Sequence, residues 1–371
     1  MAELTKQKQI SLIKEVGEEI IGENELEKLL DKNTPLIAYD GFEPSGQIHI
    51  AQGLLRAINV NKMIRAGAKF KMLVADWHAQ ANNKMGADLA KIQTVGKYFI
   101  EVWKASGMDL DKVEFIWASE VVKDSNYWQL VLQIARSNSI RRFVRTAEIM
   151  GRAESLDSLT AANILYSCMQ TADVFYLKAN VTQLGMDQRK INVLAREIGM
   201  QLPAPYGGYK PIIVSHHMLM GLGKPNSDAT DKIQQTIDRK MSKSNPDSAI
   251  FMTDTTEDIA RKINKAYCPE GQIENNPVLE YCRYIIFESF DRLNIAKFEV
   301  NRPEKFGGPL SFKTYTGLEE TFEKKELHPQ DLKQSVILYL DKLLEPVRIH
   351  FQENMEAKKL LEQVKSFQVT R

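Results

Sequence analysis

Apolar positions along the chain change period several times, and each change marks an element. From Lys6 to Leu30, Ile10, Ile13, Val16, Ile20 and Ile21 predict a helical lead-in. Pro35-Leu-Ile-Ala-Tyr39 is a short apolar run of the kind a buried strand uses, and the loop Gly41-Phe-Glu-Pro-Ser-Gly46 follows. From His49 to Arg65 the spacing of Ile50, Leu54 and Ile58 predicts a helix that stops at Gly67. Phe70 to Ala75 is the next strand, a helix covers about 89–104, and a third strand is expected over Val113–Trp117. Residues 121–160 and Leu159–Phe175 read as helices, Val181–Leu184 as a short strand, and Gly185 to about Gly199 as a further helix. A loop rich in Pro and Gly over 202–211 comes next.

Strand, glycine-containing loop, helix and strand in alternation predict an α/β fold with a Rossmann-type parallel sheet. No GxGxxG follows the first strand, so a dinucleotide is not indicated. The character changes near residue 251. Thr255-Thr-Glu-Asp258 is a capping signal ahead of 259–267, Leu279–Phe290 and Gln334–Phe351 read as helices, and Pro329 suits a helix start. Between them, 298–312 predicts a hairpin around Gly307-Gly308. The expected organisation is a lead-in over 1–30, a catalytic domain over 31–250 with a helical insertion at about 121–165, and a helix-rich C-terminal domain over 251–371.

Composition narrows the classes. At 371 residues two domains of ordinary size are affordable, and 26% charged residues is ordinary for a globular chain. The net charge of +1 means that any nucleic-acid binding must come from local patches. No run of about 18 apolar residues exists, so no spanning helix is expected. The first 21 residues mix Lys and Glu, unlike a signal peptide. Cys168, Cys268 and Cys282 are odd in number and fit no metal-ligand spacing, which predicts a reducing, cytoplasmic compartment and structural thiols. No metal site is expected, and His216 and His217 read as packing or surface histidines.

The chemistry concentrates in a few stretches. Lys240-Met241-Ser242-Lys243-Ser244 sets two ammonium groups three residues apart beside small hydroxyls, which lets both converge on one multiply charged anion. His49, expected to open a helix, and Ser45 before it would add donors where free amides and the macrodipole attract phosphate. Tyr166, Gln170 and Asp173 recur at i, i+4 and i+7, a polar stripe on an otherwise apolar helix. Asp187 after Gly185, at a strand-to-helix turn, stands where ribose hydroxyls are held in doubly wound folds. Arg136, Arg141, Arg142, Arg145 and Arg152 form a basic run that suits either a solvated face or a phosphate-tracking surface.

His49-Ile50-Ala51-Gln52 and Lys240-Met-Ser-Lys-Ser244 together resemble the HIGH and KMSKS signatures of class I aminoacyl-tRNA synthetases. Ala51 and Gln52 depart from the usual Gly and His. Tyr39, the stretch Ala75-Asp76-Trp77-His78-Ala79, Tyr166/Gln170/Asp173 and Gly185-Met-Asp-Gln-Arg-Lys190 resemble the tyrosyl-tRNA synthetases of archaeal and eukaryotic cytosolic type over essentially the whole chain. The resemblance implies tyrosine–tRNA ligase activity: Mg-ATP and L-tyrosine give tyrosyl-adenylate, and the tyrosyl group passes to the terminal ribose of tRNA(Tyr). It implies that Tyr39 and Asp173 hold the substrate hydroxyl and that Tyr166, Gln170 and Gln188 hold its ammonium. His49, Lys240 and Lys243 would neutralise the leaving pyrophosphate, with Gly41, Ser45, Gln52, Gly185, Asp187, Met241, Ser242 and Ser244 as ATP contacts. Arg189 and Lys190 would meet the acceptor stem, while Phe306, His328 and Asp331 would read the anticodon. A homodimer joined through 121–165 is the family expectation. The fold-sharing alternative is tryptophanyl-tRNA synthetase, and a small-molecule nucleotidyltransferase stands further off.

Overall fold

The computed structural model describes residues 4–32, 34–147, 160–225, 241 and 246–367. Its centre is a six-stranded sheet made of β1 (Gly17–Ile21), β2 (Ile37–Phe42), β3 (Lys69–Val74), β4 (Val113–Trp117), β5 (Val181–Thr182) and β6 (Ile212–His216), in the spatial order β1-β6-β5-β2-β3-β4. All neighbours are parallel except β1, which runs antiparallel along β6. Without β1 the order is that of a doubly wound dinucleotide-type fold, with its topological switch between β2 and β5. The Rossmann-type expectation therefore holds, and β4 has the predicted bounds.

Alternation along each strand sorts side chains between two apolar layers. Phe70, Met72 and Val74 face the layer that contains Phe42, Phe99 and Trp103, while Leu73 joins Tyr127, Phe175 and Leu194 on the other side. The helices 56–65 and 89–105 contribute to the first layer, and 161–176 and 189–198 to the second.

Four local expectations need correction. The lead-in is not one helix: Lys6–Val16 is helical, Gly17–Ile21 is strand, and Glu23–Asp31 is helical again. The helical spacing of Ile20 and Ile21 was fortuitous, since β-branched residues beside an open β6 edge pair as a strand. His49 does not open its helix. It makes an antiparallel bridge with Phe251, and the helix starts at Ala51 as one π turn before the α-helix Arg56–Arg65. β6 was hidden in the Ile212-Ile-Val run beyond the predicted loop, and it places His216 at a strand end. Leu279–Phe290 is not a continuous helix: a π turn, Cys282–Ile286, and a 3-10 turn, Phe287–Ser289, interrupt it. Within 121–160 the helices are 125–137 and 140–147, and 148–159 lie outside the described residues.

Beyond the sheet, Thr255 caps the helix Thr256–Lys265 by accepting from Asp258 N, and the hairpin pairs β7 (Phe298–Val300) with β8 (Leu310–Phe312). The 25-residue helix Pro329–Glu353 begins with its proline, as expected. Apolar packing is continuous from the sheet layer into these helices: Ile259, Val336 and Leu340 belong to the same cluster as Phe99, and the rings of Tyr98 and Phe351 meet at 5.4 Å.

Candidate active site

A cleft of about 370 Å³ opens at the carboxyl ends of the parallel strands, over the switch point where such folds bind ligands. Main-chain pairing assembles it. Ile50 N donates to Ile250 O at 2.8 Å and Met252 N to Ile48 O at 3.0 Å. The chain that follows the lysine stretch is thereby stitched alongside His49. Met241 reaches the same cleft, buried, as a lining residue with His49. Lys240, Ser242, Lys243 and Ser244 lie outside the described residues.

At one end the cleft is closed by phenols around a carboxylate. The helix Ala161–Tyr176, started by a capping box between Thr160 and Asn163, projects Tyr166, Gln170 and Asp173 into the cleft together. Asp173 is 1% exposed. Tyr127 donates its hydroxyl to Asp173 Oδ1 at 2.8 Å, and His78 Nε2 stands 2.9 Å from Oδ2. Burial alone would lower the His78 pKa, but the carboxylates of Asp173, Glu43 and Asp76 outweigh it and leave it raised. Tyr39 ends its side chain beside this group, and burial, then Asp173 and Asp40, hold its phenol well above the usual range. Gln170 Nε2 donates to Gln188 Oε1 at 3.0 Å. Glu43 accepts from Asn82 Nδ2 at 3.0 Å, and burial, then the Glu43 charge, raise the Tyr166 phenol, so a carboxylate stands beside the expected ammonium site.

The other end suits a nucleotide. Gly185 leaves room that a Cβ would fill, since it would come within 2.5 Å of Met218 Sδ and 2.6 Å of Asp187 Oδ1. Gly41, Ser45, Gln52 and Asp187 line the same wall. The Gln52 carbonyl accepts from Trp103 Nε1 at 2.8 Å, which fixes the π turn. His216 is driven to about 3, by burial and then by Arg56, and is neutral; its Nδ1 lies 2.7 Å from Gln183 Nε2. Asp40, 1% exposed, is pushed up to about 6 by burial, although Arg56 Nε lies 3.2 Å from its Oδ2 and opposes the rise. Among the described residues, no group of three or more His, Cys, Asp and Glu could hold a metal ion.

Sequence reasoning missed Glu43, Asp40, Arg56, His78 and Tyr127. His78 and Glu43 sat inside stretches already singled out. Tyr127 gave no signal, because its partner is 46 residues away.

The remaining candidates stand outside the cleft. Arg189 Nε donates to Glu19 Oε2 of β1 at 2.6 Å, and Lys190 follows it on the same helix. Phe306 is 59% exposed, with Lys305 Nζ 4.9 Å from its ring centre. His328 caps the long helix, its Nδ1 accepting from Gln330 N at 3.1 Å, and Asp331 lies in the first turn. Arg302 links the two segments by donating to Gly308 O at 2.6 Å and to Glu326 O at 2.7 Å.

Comparison with known proteins gives a consistent picture. Residues 31–345 match the family of tRNA synthetases class I (W and Y). The chain is 50% identical over 367 residues to tyrosine–tRNA ligase 1, cytoplasmic, of Arabidopsis thaliana, covering 98% of this chain and 90% of that protein. The solved tyrosyl-tRNA synthetase of Pyrococcus horikoshii, complexed with L-tyrosine, superposes with a TM-score of 0.88 at 36% identity, covering 97% of this chain and all of that one. The tryptophanyl-tRNA synthetase of Aeropyrum pernix K1 shares the fold, at a TM-score of 0.65, with 17% identity over 95% of this chain and 86% of that one.

Proposed function

The chain belongs to the class I tRNA synthetases of the tryptophan and tyrosine family, and from that membership we infer that it is a tyrosine–tRNA ligase. It activates L-tyrosine with ATP and transfers the tyrosyl group to tRNA. The observation that carries the amino-acid choice is the buried Asp173 carboxylate facing Tyr39 at the closed end of the cleft, an acceptor and a donor for one phenolic hydroxyl. An indole offers only a donor and leaves Tyr39 without a partner, which weighs against tryptophan.

The reaction needs no enzyme nucleophile. The tyrosine carboxylate attacks the α-phosphorus of ATP, an acyl–phosphate bond forms, and the bond to pyrophosphate breaks. Positioning and charge neutralisation supply most of the acceleration. In our assignment Tyr166, Gln170 and Gln188 hold the ammonium, and Glu43 supports Tyr166. Gly185 and Asp187 orient the ribose, with Gly41, Ser45, Gln52, Met241, Ser242 and Ser244 around the nucleotide. His49, Lys240 and Lys243 take up charge on the leaving pyrophosphate, and Mg2+ enters as part of the co-substrate Mg-ATP. Arg189 and Lys190 meet the acceptor stem. Phe306 and His328 stack an anticodon base and Asp331 accepts from it, the usual mode for a splayed RNA base. We assign 31–250 to catalysis and 251–371 to the anticodon, and place a homodimer contact within 121–165, where Leu132 and Ile140 are 62% and 65% exposed. A cytoplasmic location accords with the name of the plant relative, and no helix among the described residues is long and apolar enough to cross a membrane.

Amino-acid-dependent exchange of pyrophosphate into ATP, run across all twenty amino acids, tests the reading. Tyrosine is the expected substrate. Exchange that responds to tryptophan and not to tyrosine overturns it.

A further inference from the structure

Asp173 is buried at the closed end of the cleft, and a buried carboxylate is costly unless donors meet it. Two groups from different elements meet it, one by a hydrogen bond and one by an ion-pair contact whose atoms are not aligned for a hydrogen bond. Tyr127, on the helix Ser125–Ser137, is fully buried and does not line the cleft, and its hydroxyl reaches Oδ1 at 2.8 Å. His78, on the short helix Asp76–Ala81, is 2% exposed and lines the cleft, with Nε2 2.9 Å from Oδ2. Tyr166 stands edge-on to the His78 imidazole, with centroids 5.3 Å apart and planes at 88°, and so limits the ring's rotation.

An Asp carboxylate turns freely about its last torsion, which has broad wells. Here the Tyr127 hydrogen bond holds Oδ1 and the His78 imidazole stands against Oδ2, which together restrict that turn. We propose that Tyr127 and His78 are positioning residues for amino-acid selection: they fix the two oxygens of Asp173 so that a remaining lone pair meets the phenolic hydroxyl of tyrosine. The inference rests on the tyrosine reading of the cleft. A fixed acceptor pays little reorganisation when the substrate arrives, and bonds to an ionised group are the strong ones. Phenylalanine gains nothing from the arrangement. The clamp therefore acts on the choice between the two amino acids and not on ATP.

Three variants separate the possibilities: Tyr127→Phe, Asp173→Asn and the double variant. Each is assayed by pyrophosphate exchange with tyrosine and with phenylalanine, and by ATP titration. Tyr127→Phe removes one oxygen and leaves the ring packed against Trp128 and Tyr176, at 5.8 and 5.4 Å. It is expected to lower kcat/KM for tyrosine about tenfold, the weight of one hydrogen bond to a charged group, and to spare phenylalanine and KM for ATP. In the Asp173→Asn background it should add nothing, because the two act as one unit. Discrimination that collapses in Asp173→Asn and persists in Tyr127→Phe overturns the clamp and leaves the phenol site standing. Discrimination that survives Asp173→Asn removes the phenol site itself. A second pair covers His78: His78→Gln keeps an N–H donor and should retain more discrimination than His78→Leu. Equal loss in both overturns that half of the clamp.

Discussion

His217 follows the last residue of β6 and is held by both ends of the chain. Its Nδ1 is 3.1 Å from Glu18 Oε2 on β1, its Nε2 is 3.1 Å from Glu280 Oε2 beyond residue 251, and its ring stacks on Tyr284 with centroids 4.0 Å apart and planes at 11°. Burial pushes its pKa down, but the two carboxylates push harder and raise it from 6.5 to about 9. A histidine pKa that is higher in the folded state contributes stability fully present below about 6.5 and lost as pH climbs through about 9. At about 1.4 kcal/mol per pH unit the protonated bridge amounts to at most about 3 kcal/mol. Glu18 is lowered chiefly by its bond to His217; that is the same contact and adds nothing further. With an unfolding entropy of about 2.1 cal/mol/K per residue, the bridge corresponds to roughly 4 °C in Tm for a chain of this length. The measurement is a set of melting curves from pH 6 to 10 for the parent protein and His217→Gln. The gap between them should stay constant up to about pH 6.5 and then narrow by roughly 4 °C towards pH 9.5. A gap independent of pH, or one that widens, refutes the bridge.

Other outcomes are expected on the same reasoning. Lys243→Ala should slow adenylate formation about 100-fold and leave tyrosine binding in place, because its charge is needed only as pyrophosphate departs; equal losses in stopped-flow binding and chemistry contradict that role. His328→Ala should raise KM for tRNA about tenfold, the weight of one stacked base, with pyrophosphate exchange intact; a matching fall in exchange rules out the anticodon role. Arg56→Met leaves the buried Asp40 carboxylate without its counter-charge; since that carboxyl already sits at about 6 it protonates instead, so the charge loss should be about 1–2 kcal/mol at pH 7, and adding Asp40→Asn should restore most of it. Denaturant titrations in which the second change brings no recovery exclude that pairing.

What the sequence disclosed followed from local periodicity. β4 was legible because it continues the strand–helix alternation, and the helix over 161–176 because its pattern is long and regular; the second placed Tyr166, Gln170 and Asp173 on one face. β1 and β6, no shorter than β4, were not legible, because each acquires its meaning from the other: Ile20 pairs with Val214 and Ile21 with Ile213 across almost 200 residues. The π turn at Ala51 is set by contacts from Trp103 and from the strand segment at 250–252, which no window around His49 contains. Tyr127 escaped for the same reason. A tyrosine on an amphipathic helix reads as core, and only the fold brings Asp173 to its hydroxyl.

β1 covers the outer rim of β6, and the helix before it delivers Leu12, Ile13 and Val16 to the main apolar layer. The family match nonetheless begins at residue 31. Trimming the chain to that limit would bare a row of unpaired amides and carbonyls flanked by Ile212, Ile213 and Val214, the kind of template on which other chains add strands and precipitate. β1, ahead of the matched region, thus sets Glu18 and Glu19 at the rim of the sheet in place of that apolar row.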